Sequence, residues 1–213
     1  MINASIKLRS AFLCVTFCSF HFLSFAQDQL PRNDKIYFRS GFGFSIPVAE
    51  SKTYFKPKFS TSLGGMIFLG KGQCFLYPKI GLNAYSYDQQ TGEGLESRIL
   101  NGRSTTYLLT VDLGYRKAFN RFALYGVAGT GGGIILLPKI SEPLGSAITM
   151  RNESNRILLL EGGIGSDYSF GNVLIFMEGT YTQALNKLAG RTYQAVPLNL
   201  GVRTNVSKVF YKK

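Results

Sequence analysis

From residue 35 to residue 206 the chain repeats one arrangement: apolar and polar side chains alternate over about ten residues, then the alternation breaks. In the first stretch Ile36, Phe38, Phe42, Phe44 and Ile46 share one parity, against Lys35, Tyr37, Arg39, Gly41, Gly43 and Ser45. The second sets Phe59, Leu63, Ile67 and Leu69 against Lys58, Ser60, Ser62 and Gly64. The third sets Leu76, Ile80 and Leu82 against Tyr77, Lys79, Asn83 and Tyr85. A fourth opposes Tyr107, Leu109, Val111, Leu113 and Tyr115 to Thr106, Thr110, Asp112 and Arg116. The fifth, from Arg121 to about Gly133, is interrupted by glycines, which leave its two faces indistinct. Leu158, Leu160, Ile164 and Tyr168 then face away from Glu161, Gly163, Gly165 and Asp167. The seventh separates Val173, Ile175, Met177 and Tyr181 from Glu178, Thr180 and Thr182. The last separates Val196, Leu198, Leu200 and Val202 from Asn199, Gly201 and Arg203.

A period of two over such lengths predicts strands, and no window of the chain after residue 26 reaches the 18 apolar residues of a spanning helix. The charges identify the kind of strand. Arg39, Lys58, Lys79, Asp112, Arg116, Glu161, Asp167, Glu178 and Arg203 all fall on the polar parity; Arg156, at a strand end where it can snorkel, departs from it. A cation facing lipid near the midplane costs about 2–4 kcal/mol, whereas the inside of a transmembrane barrel is polar. The nine charges are therefore predicted to form a lumenal network of structural role. Apolar-parity aromatics gather toward the ends, Phe38, Tyr115, Tyr168 and Phe170 at one rim and Phe59, Tyr107 and Tyr181 at the other, as interfacial girdles require.

The connections alternate as well. Long ones are predicted over residues 48–56, 88–103, 134–155 and 185–193, and short ones near Gly70 to Gln73, Lys117 to Asn120, and Gly171. The reading is an all-β chain: an eight-stranded antiparallel up-and-down transmembrane β-barrel with four external loops and three periplasmic turns. A soluble lipocalin-type barrel, which buries apolar side chains and shows charge outside, stays open at this point, because parity alone does not say which face is inside.

The N-terminal segment bears on location. Lys7 and Arg9 precede an apolar run from Ala11 to Phe25, and Ser24-Phe25-Ala26 supplies small residues for cleavage. The run is about 15 residues, short of the ~20 a spanning helix needs. A cleaved signal over residues 1–26 is expected, with one barrel domain over residues 27–213. Cleavage would remove Cys14, Cys18 and His21, leaving Cys74 as the one cysteine and no histidine. A stapled secreted fold is excluded by that count. A lipid anchor is disfavoured by Leu13 and Phe17 before the departing cysteines.

The whole chain carries a formal charge of +12, and loss of Lys7 and Arg9 leaves an excess of about ten. The cations are scattered, and the export signal points away from nucleic acid. Outer-membrane lipid and lipopolysaccharide phosphate are the expected partners.

The chain resembles the small outer-membrane β-barrel proteins of Gram-negative bacteria, of the OmpA transmembrane type and the PorT-like type of Bacteroidetes. The resemblance rests on the strand pattern, on Glu161 and Glu178, and on Val196 to Val206, where Asn199, Gly201 and Val206 are similar to a C-terminal assembly signal. It implies recognition by the barrel-assembly machinery. Thr204 stands where an apolar residue is usual, and the chain ends Phe210-Tyr211-Lys212-Lys213 instead of on an aromatic.

Candidate chemistry is sparse. Without histidine, Ser-His-Asp and Asp-His mechanisms and histidine-containing zinc sites are excluded for the mature chain. A carboxylate pair drawn from Glu161, Asp167 and Glu178 competes with salt bridging to Arg39, Lys79 or Arg203, and the latter is expected. Gly65 to Lys71 spells GxxxxGK, but a strand, a tight turn and another strand are predicted there, not a phosphate loop and helix. Gly126, Gly129, Gly131, Gly132 and Gly133 likewise precede no helix. The sequon at Asn152-Glu153-Ser154 has no role in a bacterial envelope. No catalytic residue, cofactor or metal is expected. The leading function is a non-enzymatic envelope protein serving integrity, adhesion or assembly, with the segment from Leu137 to Asn155 as its contact surface. A narrow pore or secretion accessory is the second, and a soluble ligand-binding barrel the third.

Overall fold

The computed structural model describes residues 36–70, 73–88, 99, 101–141, 149–170, 173–188 and 191–207. The expected signal and the lead to Lys35 lie outside them. Eight strands follow one another: β1 (Ile36–Pro47), β2 (Phe55–Leu69), β3 (Cys74–Tyr87), β4 (Gly102–Phe119), β5 (Phe122–Ser141), β6 (Thr149–Phe170), β7 (Val173–Leu188) and β8 (Arg191–Asn205). Each pairs antiparallel with the next, and β1 pairs with β8 from Tyr37↔Asn205 to Pro47↔Ala195, so the sheet closes into a barrel. Closure removes the lateral edges that a flat sheet of this size would leave open.

The alternation decides which way each side chain points. Phe42, Leu109 and Leu113 are more than 60% exposed on the outer wall, and Ile164 reaches 77%. Met66, Phe75, Tyr77 and Tyr85, on the opposite parity, are fully enclosed. Arg39, Asp112, Asp167 and Arg203 are enclosed with them. This is the reverse of a soluble barrel, and it removes the lipocalin-like alternative. The blurred fifth stretch resolves in the same way: Phe122 and Leu124 face out, and Tyr125 and Val127 face in.

The outer wall has the proportions of a bilayer. On β4, Tyr107 and Tyr115 bracket a run that spans roughly 20 Å along the axis, at ~3.3 Å per residue and a ~40° tilt, close to the ~25 Å of a lipid-facing band. At the turn end the rings of Tyr168 and Phe170 pack 4.9 Å apart.

The β4–β5 turn is tight. Phe119↔Phe122 is the last pair of the β4–β5 hairpin, and Asn120 takes a positive φ of 58°, which asparagine tolerates better than most residues. The loop end departs from expectation. The connection expected over 134–155 is mostly strand: β5 and β6 stay paired out to Ser141↔Thr149. The connection expected over 185–193 contracts in the same way, since β7 runs to Leu188 and β8 starts at Arg191. β6, at 22 residues, is long enough for roughly 55 Å of axial rise, so the β5–β6 hairpin stands well clear of the apolar band. After β1 the chain makes a 3-10 turn over Ala49–Thr53.

Candidate functional site

The interior is layered along the axis. At the turn end Tyr37, Met66, Phe68, Phe75, Tyr77, Tyr125, Val127 and Leu174 form an apolar plug. They come from strand residues nearest the turns, where inward positions carry rings and aliphatics. At the loop end Phe55, Tyr85, Leu108, Ile135, Ile157, Leu159 and Tyr193 form a second. Three ion clusters occupy the space between and beside them.

Arg39 on β1 donates from Nη1 to Glu178 Oε2 on β7 at 2.6 Å. Its guanidinium also lies 3.5 Å from the centre of the Phe176 ring, with Tyr77 and Tyr125 at 5.0 and 5.6 Å. Lys79 on β3 reaches Glu161 Oε1 at 2.5 Å and Asp112 Oδ2 at 3.5 Å, and the Thr110 hydroxyl donates to Glu161. Asp167 on β6 accepts two bonds from Arg116, at 3.1 and 2.7 Å, and a third from Arg203 Nη1 at 2.9 Å. Four buried basic side chains (Arg39, Lys79, Arg116 and Arg203) thus meet four buried carboxyl groups (Asp112, Glu161, Asp167 and Glu178). Such balance is what a low-dielectric interior demands, since an uncompensated charge there costs several kcal/mol.

Eight of the nine charges expected in the lumen are therefore brought together inside. Lys58 is not: it is exposed on the outer wall. The β2–β3 register shifts between Pro57 and Phe59, with Pro57 opposite Tyr85 and Phe59 opposite Ala84, so Lys58 is the extra residue of a bulge. A bulge reverses the parity of everything before it. Counting outward from Phe59 by twos could not reveal it, although Pro57, which has no N–H for a ladder, marks the spot.

Sequence reasoning also missed the neutral part of the network. The Ser45 and Tyr85 hydroxyls bond each other at 2.5 Å, and Tyr85 bonds Tyr193 at 2.7 Å, which ties β1, β3 and β8 across the loop-end plug. Below this, the Ser60 hydroxyl bonds Asn83 at 2.8 Å and Asn199 at 3.2 Å. A cavity of about 20 Å³ lies here, lined by Ser60, Ser62, Asn83, Glu161, Thr182 and Asn199. It has room for about one water.

Chemically, the arrangement holds its own charges. Glu161, Asp167 and Glu178 are each committed to a cation, and apolar layers lie at both ends. Among the described residues no group of histidine, cysteine and carboxylate side chains is placed to hold a metal ion.

No family model matches the chain, and no curated protein matches it by sequence. Solved structures do. Neisserial surface protein A superposes with a TM-score of 0.56 at 13% identity, over 80% of this chain and 96% of that one. A major outer membrane protein from Thermus thermophilus gives 0.59 at 13%, over 80% and 98%. This chain has the fold of the small eight-stranded outer-membrane barrels. At such identities the likeness is one of architecture, and it covers nearly the whole of both neighbours.

Proposed function

We propose that the chain is an integral outer-membrane protein of non-enzymatic function, exported on a signal cleaved after Ala26. Its barrel is a closed scaffold that presents the loop-end hairpins outside the cell, for adhesion, envelope integrity or assembly. One observation carries this reading: an apolar outer wall encloses four ion-paired basic side chains and four carboxyl groups, set between and beside two apolar plugs. The outer wall suits lipid. The filled interior suits neither a ligand cavity nor a channel, since an eight-stranded barrel is just wide enough for its own side chains. What varies freely in such a molecule is what it holds above the membrane. Lipid and lipopolysaccharide would contact the wall and its rims, and the barrel-assembly machinery would insert it.

The test is expression of the full chain in a Gram-negative host. Outer-membrane fractionation, a mature N-terminus at Gln27, and a gel mobility that changes on boiling are the expected results. Recovery in the soluble periplasmic fraction, or a helical circular dichroism spectrum, would falsify the proposal.

A further inference from the structure

Among the described residues β8, β5 and β6 each outrun a neighbour above the closed part of the barrel and would leave a bare edge. Two of these edges are blocked. On β8, Thr192 N donates to Glu50 Oε2 at 3.1 Å and Gln194 N donates to Ser51 Oγ at 2.7 Å, so the 3-10 turn after β1 covers that side. On β5 the Ser104 hydroxyl donates to the Leu136 carbonyl, which identifies the even-numbered residues as those facing β4. The next of them is Pro138, which has no N–H to offer an incoming strand.

The third edge is different. Leu158 N donates to Asn186 Oδ1 and Asn186 Nδ2 donates to the Arg156 carbonyl, both at 2.8 Å, so even-numbered residues of β6 face β7. The ladder with β7 begins only at Leu159↔Ala184. Asn186 thus completes the lowest pair with a side-chain amide in place of a peptide. Beyond it, no described residue pairs the outward N–H and C=O groups of Asn152 and Ser154. Their strand is nonetheless held in extended form by β5, from Ile134↔Arg156 to Ser141↔Thr149.

Among the described residues around this edge, cations outnumber anions. Arg151 and Arg156 are exposed on β6, and Lys187 is exposed on the facing hairpin. Glu153, the acidic residue of the segment, is already engaged by Lys139 at 3.0 Å. A preformed strand edge that no described residue covers, set among cations, suits an extended anionic chain.

We propose that the β6 edge over residues 150–156 receives an extended, acidic segment of another polypeptide as an added strand. The added segment takes its backbone bonds from Asn152 and Ser154 and sets its carboxylates near Arg151, Arg156 and Lys187. The proposal names the partner chemistry of the external surface proposed above and rests on that reading for the side of the membrane on which the partner lies.

The probe is a short fluorescent peptide alternating glutamate with valine and threonine, titrated by anisotropy into the full chain folded in detergent. Saturable binding is expected, weakened by salt, and lost for a matched lysine peptide. Ser154→Pro removes one edge donor and leaves the β5 ladder alone; it should weaken binding about tenfold or more, while Ser154→Ala binds as wild type. Heat-modifiable mobility, read on the same preparations, shows separately whether each variant is a folded barrel. Equal binding to Ser154→Pro, or to a proline-interrupted peptide of the same charge, would overturn the edge. Absence of binding, or a dimer that Ser154→Pro dissolves, would overturn the acidic partner.

Discussion

Asp167 shows what individual residues contribute. It is enclosed by the barrel and bonded by both Arg116 and Arg203. Asp167→Asn keeps the shape and leaves two guanidinium groups without a counter-charge. Breaking a buried pair in this way costs about 3–5 kcal/mol, so the urea midpoint of the folded protein should drop sharply. Lys58→Ala, which alters a residue outside the network, should leave the midpoint unchanged. A second test concerns how much the network stabilises the fold at all. Removing Glu178 alone strands Arg39; replacing both with methionine removes the desolvation of both ions. The double variant Arg39→Met/Glu178→Met should therefore be more stable than Glu178→Met, and a double-mutant cycle measures the difference. An additive loss would mean that Arg39 is held by the Phe176, Tyr77 and Tyr125 rings rather than by the carboxylate.

At the scale of strands, depth is the variable that a membrane imposes and a soluble barrel does not. Leu109 lies mid-strand on the outer wall of β4, and Phe119 lies at its turn end. Leu109→Arg is expected to cost about 2–4 kcal/mol in lipid, and Phe119→Arg about 0–1. Folding yield into liposomes reads that ratio, and equal yields would place the membrane boundary elsewhere. The strands also show why some of the structure is legible in the sequence and some is not. Inward and outward faces can be read wherever a charge falls on one parity, as at Asp112 and Arg116 or at Glu161 and Asp167. β5 lacks such a marker: its inward Gly129, Gly131 and Gly133 carry no side chain, and a Cβ on each would run into the backbone of β4. Glycine there is a demand of the lumen, and composition cannot distinguish it from a loop. The upper halves of β5 and β6 read as connection because Lys139, Arg151, Asn152 and Glu153 are polar on both parities. Outside the bilayer neither face needs to be apolar, so the alternation that identifies a membrane strand stops while the strand continues.

For the molecule as a whole the decisive property is whether anything passes through it. A path along the axis would meet the Phe55, Tyr85 and Tyr193 cluster at the loop end, with Tyr85 bonded to both Ser45 and Tyr193. It would then reach a space of about one water, walled on one side by Lys79 and Glu161. Next come Arg39 stacked on Phe176 and then, side by side, the Asp167 cluster and the plug of Phe68, Phe75 and Tyr125. Each ion pair would have to separate in a medium where an unpaired charge costs several kcal/mol, and two aromatic layers would have to move with it. We therefore expect no steady conductance of porin size from monodisperse protein in planar bilayers. The loop-end layer is the thinner barrier, since polar residues lie directly beneath it. Tyr85→Ala combined with Tyr193→Ala should admit dye or water to the upper lumen, yet still pass no ions, because the Arg39 and Asp167 clusters and the turn-end plug remain. If the wild type conducts steadily, the ion pairs are mobile and transport becomes the leading function. If the double variant alone conducts, the lower clusters do not seal, and the closed state depends on two tyrosines.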